Sequence, residues 1–144
     1  MCMSHNNLIL LPFIIYTRCT SCTGIPLTVT IGGIATPLEN LGCWKDTSRS
    51  RAIPTLENQS NALLDGEYRR RDDAIRKCAQ AASDLGYTTF ALQNGGGCAS
   101  SSVAGNTYKK HCAATNCNPV GTGGGDANQV YEISGKYSCT AVFM

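Results

Sequence analysis

Residues 72–102 read DDAIRKCAQAASDLGYTTFALQNGGGCASSS, and the interpretation of this stretch decides the fold. Ile75, Cys78, Ala79 and Ala82 recur at helical spacing and give a single apolar stripe. Asp72 and Asp73 place negative charge where a helix start favours it. Gly86 suits a left-handed stop just past Leu85. The spacing therefore predicts a helix over about 72–85. Tyr87, Thr88, Thr89, Phe90, Ala91 and Leu92 then switch to β-branched and aromatic types, which predicts a strand. Gly95, Gly96 and Gly97 break that strand, and Cys98 follows. The expected unit is a helix clipped by Cys78 to Cys98 beside the strand.

The rest of the composition suits a small braced domain. The chain has 144 residues, which suggests one domain, and a net charge of +2, too small by itself to argue for a nucleic-acid partner. Charged residues make up only 15% and large aliphatics are sparse, so the core is modest. Disulfides, typically worth ~2–4 kcal/mol each, would stabilise such a core, and they point to an oxidising compartment. There are nine cysteines, an odd count, so at least one thiol is free, paired between molecules, or removed by processing.

On the amino-terminal side, Leu8 to Tyr16 is an apolar run interrupted by Pro12, too short for a bilayer span of roughly 20 residues. It fits the apolar region of a secretory signal over 1–24, with small residues from Thr20 to Gly24 as the cleavage zone. No Lys or Arg precedes Leu8, so a buried strand is the competing interpretation. Residues 25–40 read as a linker or an edge strand around Leu27 to Ile31. The compact domain is expected over 41–133. Within it LGCWKD forms a short strand, and RAIPTLE is extended because Ile53 precedes Pro54. Asn58-Gln59-Ser60 is an N-glycosylation acceptor if the chain is secreted. Leu63 to Gly66 is a turn with an apolar anchor. Ala99 to Asn128 reads as a long loop, Gln129 to Ile133 as a closing strand, and 134–144 as a tail.

Chemistry is sparse. Cys43, Cys78, Cys98 and Cys117 allow three pairings. Cys78–Cys98 and Cys43–Cys117 are the expected ones, leaving Cys112 and Cys139 able to pair with each other. A zinc alternative would join Cys19 and Cys22 to His111, Cys112 or Cys117, but it lacks two close pairs at repeated spacing. No metal or cofactor is expected. The glycines from Gly121 to Gly125 lack the lysine of a phosphate-binding loop and read as a flexible loop. Arg69, Arg70 and Arg71, interleaved with Glu67, Asp72 and Asp73, read as a solvated helix start. No hydrolase or metalloprotease motif is present, so a non-enzyme is expected; a glycosidase pair such as Asp46 and Asp65 has no positive support.

What remains is a set of polar and aromatic groups on turns. Trp44, Asp46, Gln93, Asn94, Asp126 and Asn128, with Tyr87 and Tyr131 nearby, carry amides and carboxylates able to hydrogen-bond sugar hydroxyls in pairs. Aromatic faces among them could cover a pyranose. The plainer interpretation puts Trp44 and Tyr131 in the core and has Gln93 and Asn94 tie off a turn.

Taken in order, Gly42-Cys43-Trp44-Lys45-Asp46, the helix with Cys78, the run Gly86 to Cys98, and Asn128-Gln129-Val130-Tyr131 resemble the motifs of WSC domains. More closely than WSC domains in general, the chain resembles WSC-like modules of secreted invertebrate proteins that open GCWKD and carry RAIPTLE. The usual pattern has further cysteines where this chain has Ala99-Ser100-Ser101 and Gly124-Gly125. The resemblance implies an extracellular α+β module, stapled by disulfides, that binds carbohydrate. The expectation is thus one main helix on a short, mostly antiparallel sheet with long glycine-rich loops. Its function would be non-catalytic and lectin-like, with glycans or extracellular matrix components as partners, and without nucleic acid or a membrane span. The alternative is a structural or protein-interaction component of matrix, mucus or secretion.

Overall fold

The computed structural model describes residues 27–134 in full, and the strands at 9–10, 14–18 and 140–143 by their backbone. In chain order the elements are β1 (Ile9–Leu10), β2 (Ile14–Arg18), β3 (Leu27–Ile31), β4 (Ile34–Lys45), α1 (Ala74–Asp84), β5 (Thr89–Gln93), β6 (Gly97–Ser100), α2 (Ala104–Thr107), β7 (Ala127–Ile133) and β8 (Thr140–Phe143). The protein is a small α+β domain built on a five-stranded sheet of order β3-β4-β7-β5-β6, with every neighbouring pair antiparallel. A separate three-stranded sheet has the order β1-β2-β8. The remainder of the expected signal segment, 1–8, 11–13 and 19–24, lies outside the described residues, as does Cys139.

The organising stretch folds for the reasons its sequence gives. α1 turns Ala74, Cys78, Ala79, Ala81 and Ala82 inward. These small residues let the helix lie close over the large sheet residues Phe90, Leu92 and Tyr131, with which they form one buried cluster. The Phe90 and Tyr131 rings stack with centroids 5.5 Å apart. Asp72 pairs with Lys77 and Asp73 with Arg76 at the helix start. At the other end Gly86 takes φ +77°; its N–H donates to Ser83 O and the Tyr87 N–H to Ala82 O. These are the two reciprocal bonds that close a helix at a left-handed glycine.

The opposite face of the sheet carries a second buried cluster, of Ala52, Ile53, Ala91, Ala99, Ala104 and Val130, with Leu41, Trp44 and Tyr108 packed against it. A bulge makes this possible. Asn40 pairs with Tyr131 but Gly42 with Val130, so Leu41 is the extra residue. The slip moves the even-numbered positions of β4 from the helix side to the far side, carrying Trp44 with them. Asn40 Oδ1 holds the bulge by accepting from the Gly42 N–H and from Gln129 Nε2.

Several expectations change here. The boundary at residue 41 falls inside β4. Residues 27–40 belong to the sheet, as the edge-strand option required, and the Gly32 N–H at their turn donates to Gln80 on α1. Residues 99–128 include α2 and a bridge from Ala113 to Trp44. The glycine run is packed rather than flexible. Asn94 and Gly95 donate to the carbonyls of Gly124 and Gly123, and Gly123 donates to Leu92 O. A methyl on Gly123 would lie 1.9 Å from Ala127 O, which leaves glycine as the residue that fits. Arg71 is not part of a solvated helix start. Its side chain is 3% exposed and pairs with Glu57.

The structure pairs Cys43 with Cys117 and Cys78 with Cys98, at Cα separations of 5.9 and 5.4 Å. The first ties β4 to the long loop and the second ties α1 to the edge strand β6. Cys112 is exposed and carries a free thiol, and Cys139, its suggested partner, lies outside the described residues. With Cys117 in a disulfide, it has no thiolate to offer a zinc ion, and Cys19 and Cys22 lie outside the described residues.

Candidate functional site

At the end of the sheet where β5 turns into β6, the chain from Asp46 to Asn58 stands off from the turn. It leaves a half-open cavity of about 460 Å³, lined among others by Asp46, Arg51, Glu57, Asn58, Tyr68, Gln93, Asn94 and Asp126. Its position follows from three local devices.

The first is Asp46, at the end of β4 and 1% exposed. Its Oδ1 accepts from the backbone N–H groups of Thr47 and Ala52, folding the chain back on itself. Its Oδ2 accepts from Arg51 at 3.2 Å. The same Arg51 nitrogen donates to Gln93 Oε1 at 2.6 Å, so the guanidinium joins a carboxylate to an amide in the cavity lining.

The second device is the pair Glu57–Arg71. Two guanidinium nitrogens meet the two carboxylate oxygens at 2.7 and 2.9 Å. Arg71 also donates to Leu64 O and Gly96 O, and Glu57 Oε1 accepts from the Cys98 N–H. A bidentate pair this well enclosed fixes the wall geometrically.

The third device is the turn Asn94-Gly95-Gly96. Asn94 and Gly95 have φ +49° and +92°. A methyl on Gly95 would lie 2.7 Å from Arg69 O, and one on Gly96 would lie 2.5 Å from Tyr68 O. The glycines therefore do more than interrupt a strand: they admit the short 3-10 turn Tyr68–Arg70 against the hairpin and bring the half-buried Tyr68 ring to the cavity wall. The Arg69 guanidinium lies 4.9 Å from the centre of that ring.

Of the six residues expected to form a site, the structure brings four together: Asp46, Gln93, Asn94 and Asp126. Asp126 is exposed on the rim with φ +51°. Trp44 does not line the cavity. Its Nε1–H donates to Leu41 O, its ring meets Tyr108 edge-on at 5.3 Å, and Lys109 lies over it. Asn128 is fully buried, paired across the ladder with Trp44 on one side and Gln93 on the other. Neither amide atom of Asn128 has a hydrogen-bond partner, and neither does Gln93 Nε2. Tyr131 is core, as its plainer interpretation had it. Burial pushes its phenol up to about 12 while its Oη donates to Gly121 O. Tyr87 packs against the same cluster. Asn58 is exposed on the rim of the cavity.

Arg51, Glu57 and Tyr68 were missed as site residues. Arg51 and Glu57 flank the extended RAIPTLE segment, whose pairing with β6 through Thr55 and Ala99 is non-local and leaves no periodic trace. Tyr68 had a signal in the three glycines, which marks close approach of another segment as well as a turn.

Away from the cavity, the Lys77 ammonium, through its hydrogen bond and its charge, holds the exposed Asp72 carboxyl below the usual range. Among the described residues no group of three His, Cys, Asp or Glu side chains is placed to hold a metal ion, and no helix is long and apolar enough to cross a membrane. Compared with family models, curated proteins and solved structures, the chain has no match.

Proposed function

We propose that the cavity is a carbohydrate-binding site and that the chain is a non-catalytic, WSC-like extracellular module. The observation that carries this reading is the convergence, around one half-open cavity, of amide, carboxylate and guanidinium groups with one aromatic ring, all drawn from separate segments. Paired donors and acceptors beside an aromatic face suit a pyranose, which offers hydroxyls at its edge and an apolar face. A binding role is favoured over turnover because two of the three carboxylates at the cavity are occupied in holding the chain. Asp46 accepts from two backbone amides and Arg51, and Glu57 from Arg71 and the Cys98 amide. Secretion is supported by two disulfides in so small a domain and by an exposed asparagine in a glycosylation triplet.

A glycan array probed with the oxidised protein tests the reading. Defined sugars should bind, and Gln93→Ala and Asp126→Asn should each weaken them about tenfold or more, the cost of one or two lost hydrogen bonds to a charged or amide group. Trp44→Phe should leave binding unchanged. An array without any bound sugar, together with a protein recovered by crosslinking, would replace this reading with the structural-component alternative.

A further inference from the structure

Resting on the carbohydrate reading, we infer that the preferred ligand is an acidic glycan, bearing sulfate or uronate groups, whose charges lie along a cationic margin running from Arg51 to Lys109.

The net charge of the whole chain conceals this margin because the charges are segregated. From Asn40 to Leu56 the only acidic residue is Asp46, against Lys45, Arg49 and Arg51; from Ala99 to Gly125 there is none, against Lys109 and Lys110. The fold brings these two segments together. Lys110 Nζ donates to Ser50 Oγ at 2.7 Å, His111 Nε2 lies 2.6 Å from Ser50 O, and the Lys45 N–H donates to Cys112 O at 2.9 Å. All five cations are exposed.

Around α1 the cations are mostly paired: Arg69, Arg71, Arg76 and Lys77 each have a carboxylate partner in Glu67, Glu57, Asp73 and Asp72, while the exposed Arg70 has none. Among the described residues Lys45, Arg49, Lys109 and Lys110 have none either, and these four lie together. Lys109 instead lies over the Trp44 and Tyr108 rings, about which its ammonium stays accessible to an anion. Arg51 joins margin and cavity, since it lines the cavity and is the next residue but one to Arg49. Asp126 stands on the cavity rim as a free carboxylate and would repel an anionic group there. The ligand is therefore oriented, with neutral hydroxyls toward Asp126 and Asn94 and acidic groups toward Arg49 and Lys110.

Dextran sulfate and unsulfated dextran share a backbone and separate charge from sugar. The oxidised protein should bind the sulfated polymer at least about tenfold more tightly, and raising salt from about 50 to 200 mM should weaken that binding by about tenfold or more, because counterions released into more concentrated salt gain less entropy. Arg49→Gln combined with Lys109→Gln, both at exposed positions, should remove most of the preference while circular dichroism stays unchanged. Arg49→Glu alone should act in the same direction. Equal binding of the two dextrans, alongside array sugars that still bind, would overturn the acidic preference and leave the cavity reading standing. Absence of all sugar binding would remove both. A single-stranded polynucleotide bound as tightly as dextran sulfate, with no loss in Gln93→Ala, would overturn the assignment to a glycan.

Discussion

The two faces of the central sheet are covered by different means. On one face a regular helix lays alanines and a cysteine over Phe90, Leu92 and Tyr131, and the backbone polar groups of its interior are satisfied within the helix itself. On the other, Ile53, Ala91 and Val130 are covered by chain that is mostly irregular, with only the short α2. Irregular chain cannot satisfy its own amides and carbonyls, so side chains must do it. Asp46 holds two amides, Thr107 Oγ1 donates to Ala52 O, and the Glu57–Arg71 pair ties three further backbone groups. The polar side chains that this covering requires collect at the sheet end, and the cavity lies among them. The irregular face is thus both the costlier one to order and the one able to hold a polar ligand.

The largest expected loss follows removal of the disulfides, which tie the long loop to β4 and α1 to β6. Cys43 and Cys117 are 74 residues apart and Cys78 and Cys98 are 20 apart. Loop closure then assigns about 4.4 kcal/mol to the first bond and about 3.3 kcal/mol to the second. Replacing Cys43 and Cys117 together by Ala should lower the unfolding midpoint more than replacing Cys78 and Cys98 together. The reverse order in a denaturant titration would mean that packing of the helix, not restriction of the unfolded chain, sets the stability.

Next in size is the buried ion pair. Arg71→Ala leaves the Glu57 carboxylate largely enclosed and strips donors from Leu64 O and Gly96 O, which should cost about 3 kcal/mol. Glu57→Gln should cost less, because a neutral amide can still accept from the Cys98 N–H. If both variants match the unchanged protein in thermal unfolding, the cavity wall is not held by this pair.

The helix-covered face has its own signature in alkali. Burial raises the Tyr131 phenol to about 12 from an ordinary value near 10. The folded state therefore retains the proton after the unfolded chain has lost it. The resulting stabilisation is complete below pH ~10 and is lost as pH climbs through the interval up to the folded value, at most ~3 kcal/mol in all. Stability measured from pH 9 to 12 should fall for the unchanged protein. Tyr131→Phe, less stable at neutrality for want of the bond to Gly121 O, should fall less steeply over that interval.

How much of each face was legible follows the same division. The helix, its glycine stop, the succeeding strand and the Cys78–Cys98 clip all lie within one contiguous stretch, where spacing and residue type carry the information. Cys43–Cys117 was also legible, once two of the four interior cysteines had been assigned. The bulge at Leu41 was not, because a one-residue slip in register leaves no mark on an apolar pattern as short as LGCW, and it is this slip that turns Trp44 to the irregular face, where it packs against Tyr108 instead of lining the cavity. Nor was the buried state of Arg71, whose partner stands 14 residues earlier in a segment without periodicity. Four of the six site residues were found because turns concentrate polar groups. Tyr68 and Arg51 were missed because long-range contact, rather than local pattern, brings them in.

The smallest expected effect sharpens the comparison most. Among the described residues Asn128 is the buried residue of the irregular face whose polar side chain holds nothing: neither its nitrogen nor its oxygen has a partner, although it pairs across the ladder with Gln93, which lines the cavity. A buried amide serving only the fold would be expected to carry hydrogen bonds, and removing it would cost about 1–3 kcal/mol. Asn128→Leu, close to it in shape, forfeits no bond and should leave stability within about 1 kcal/mol of the unchanged protein, on the stabilising side if it changes at all. Sugar binding should nonetheless weaken, because Asn128 backs Gln93 in the sheet, and Gln93 lines the cavity with its Nε2 still without a partner. A marked loss of stability in urea titration would instead assign Asn128 to the scaffold, and the irregular face would then be polar solely to hold itself in place.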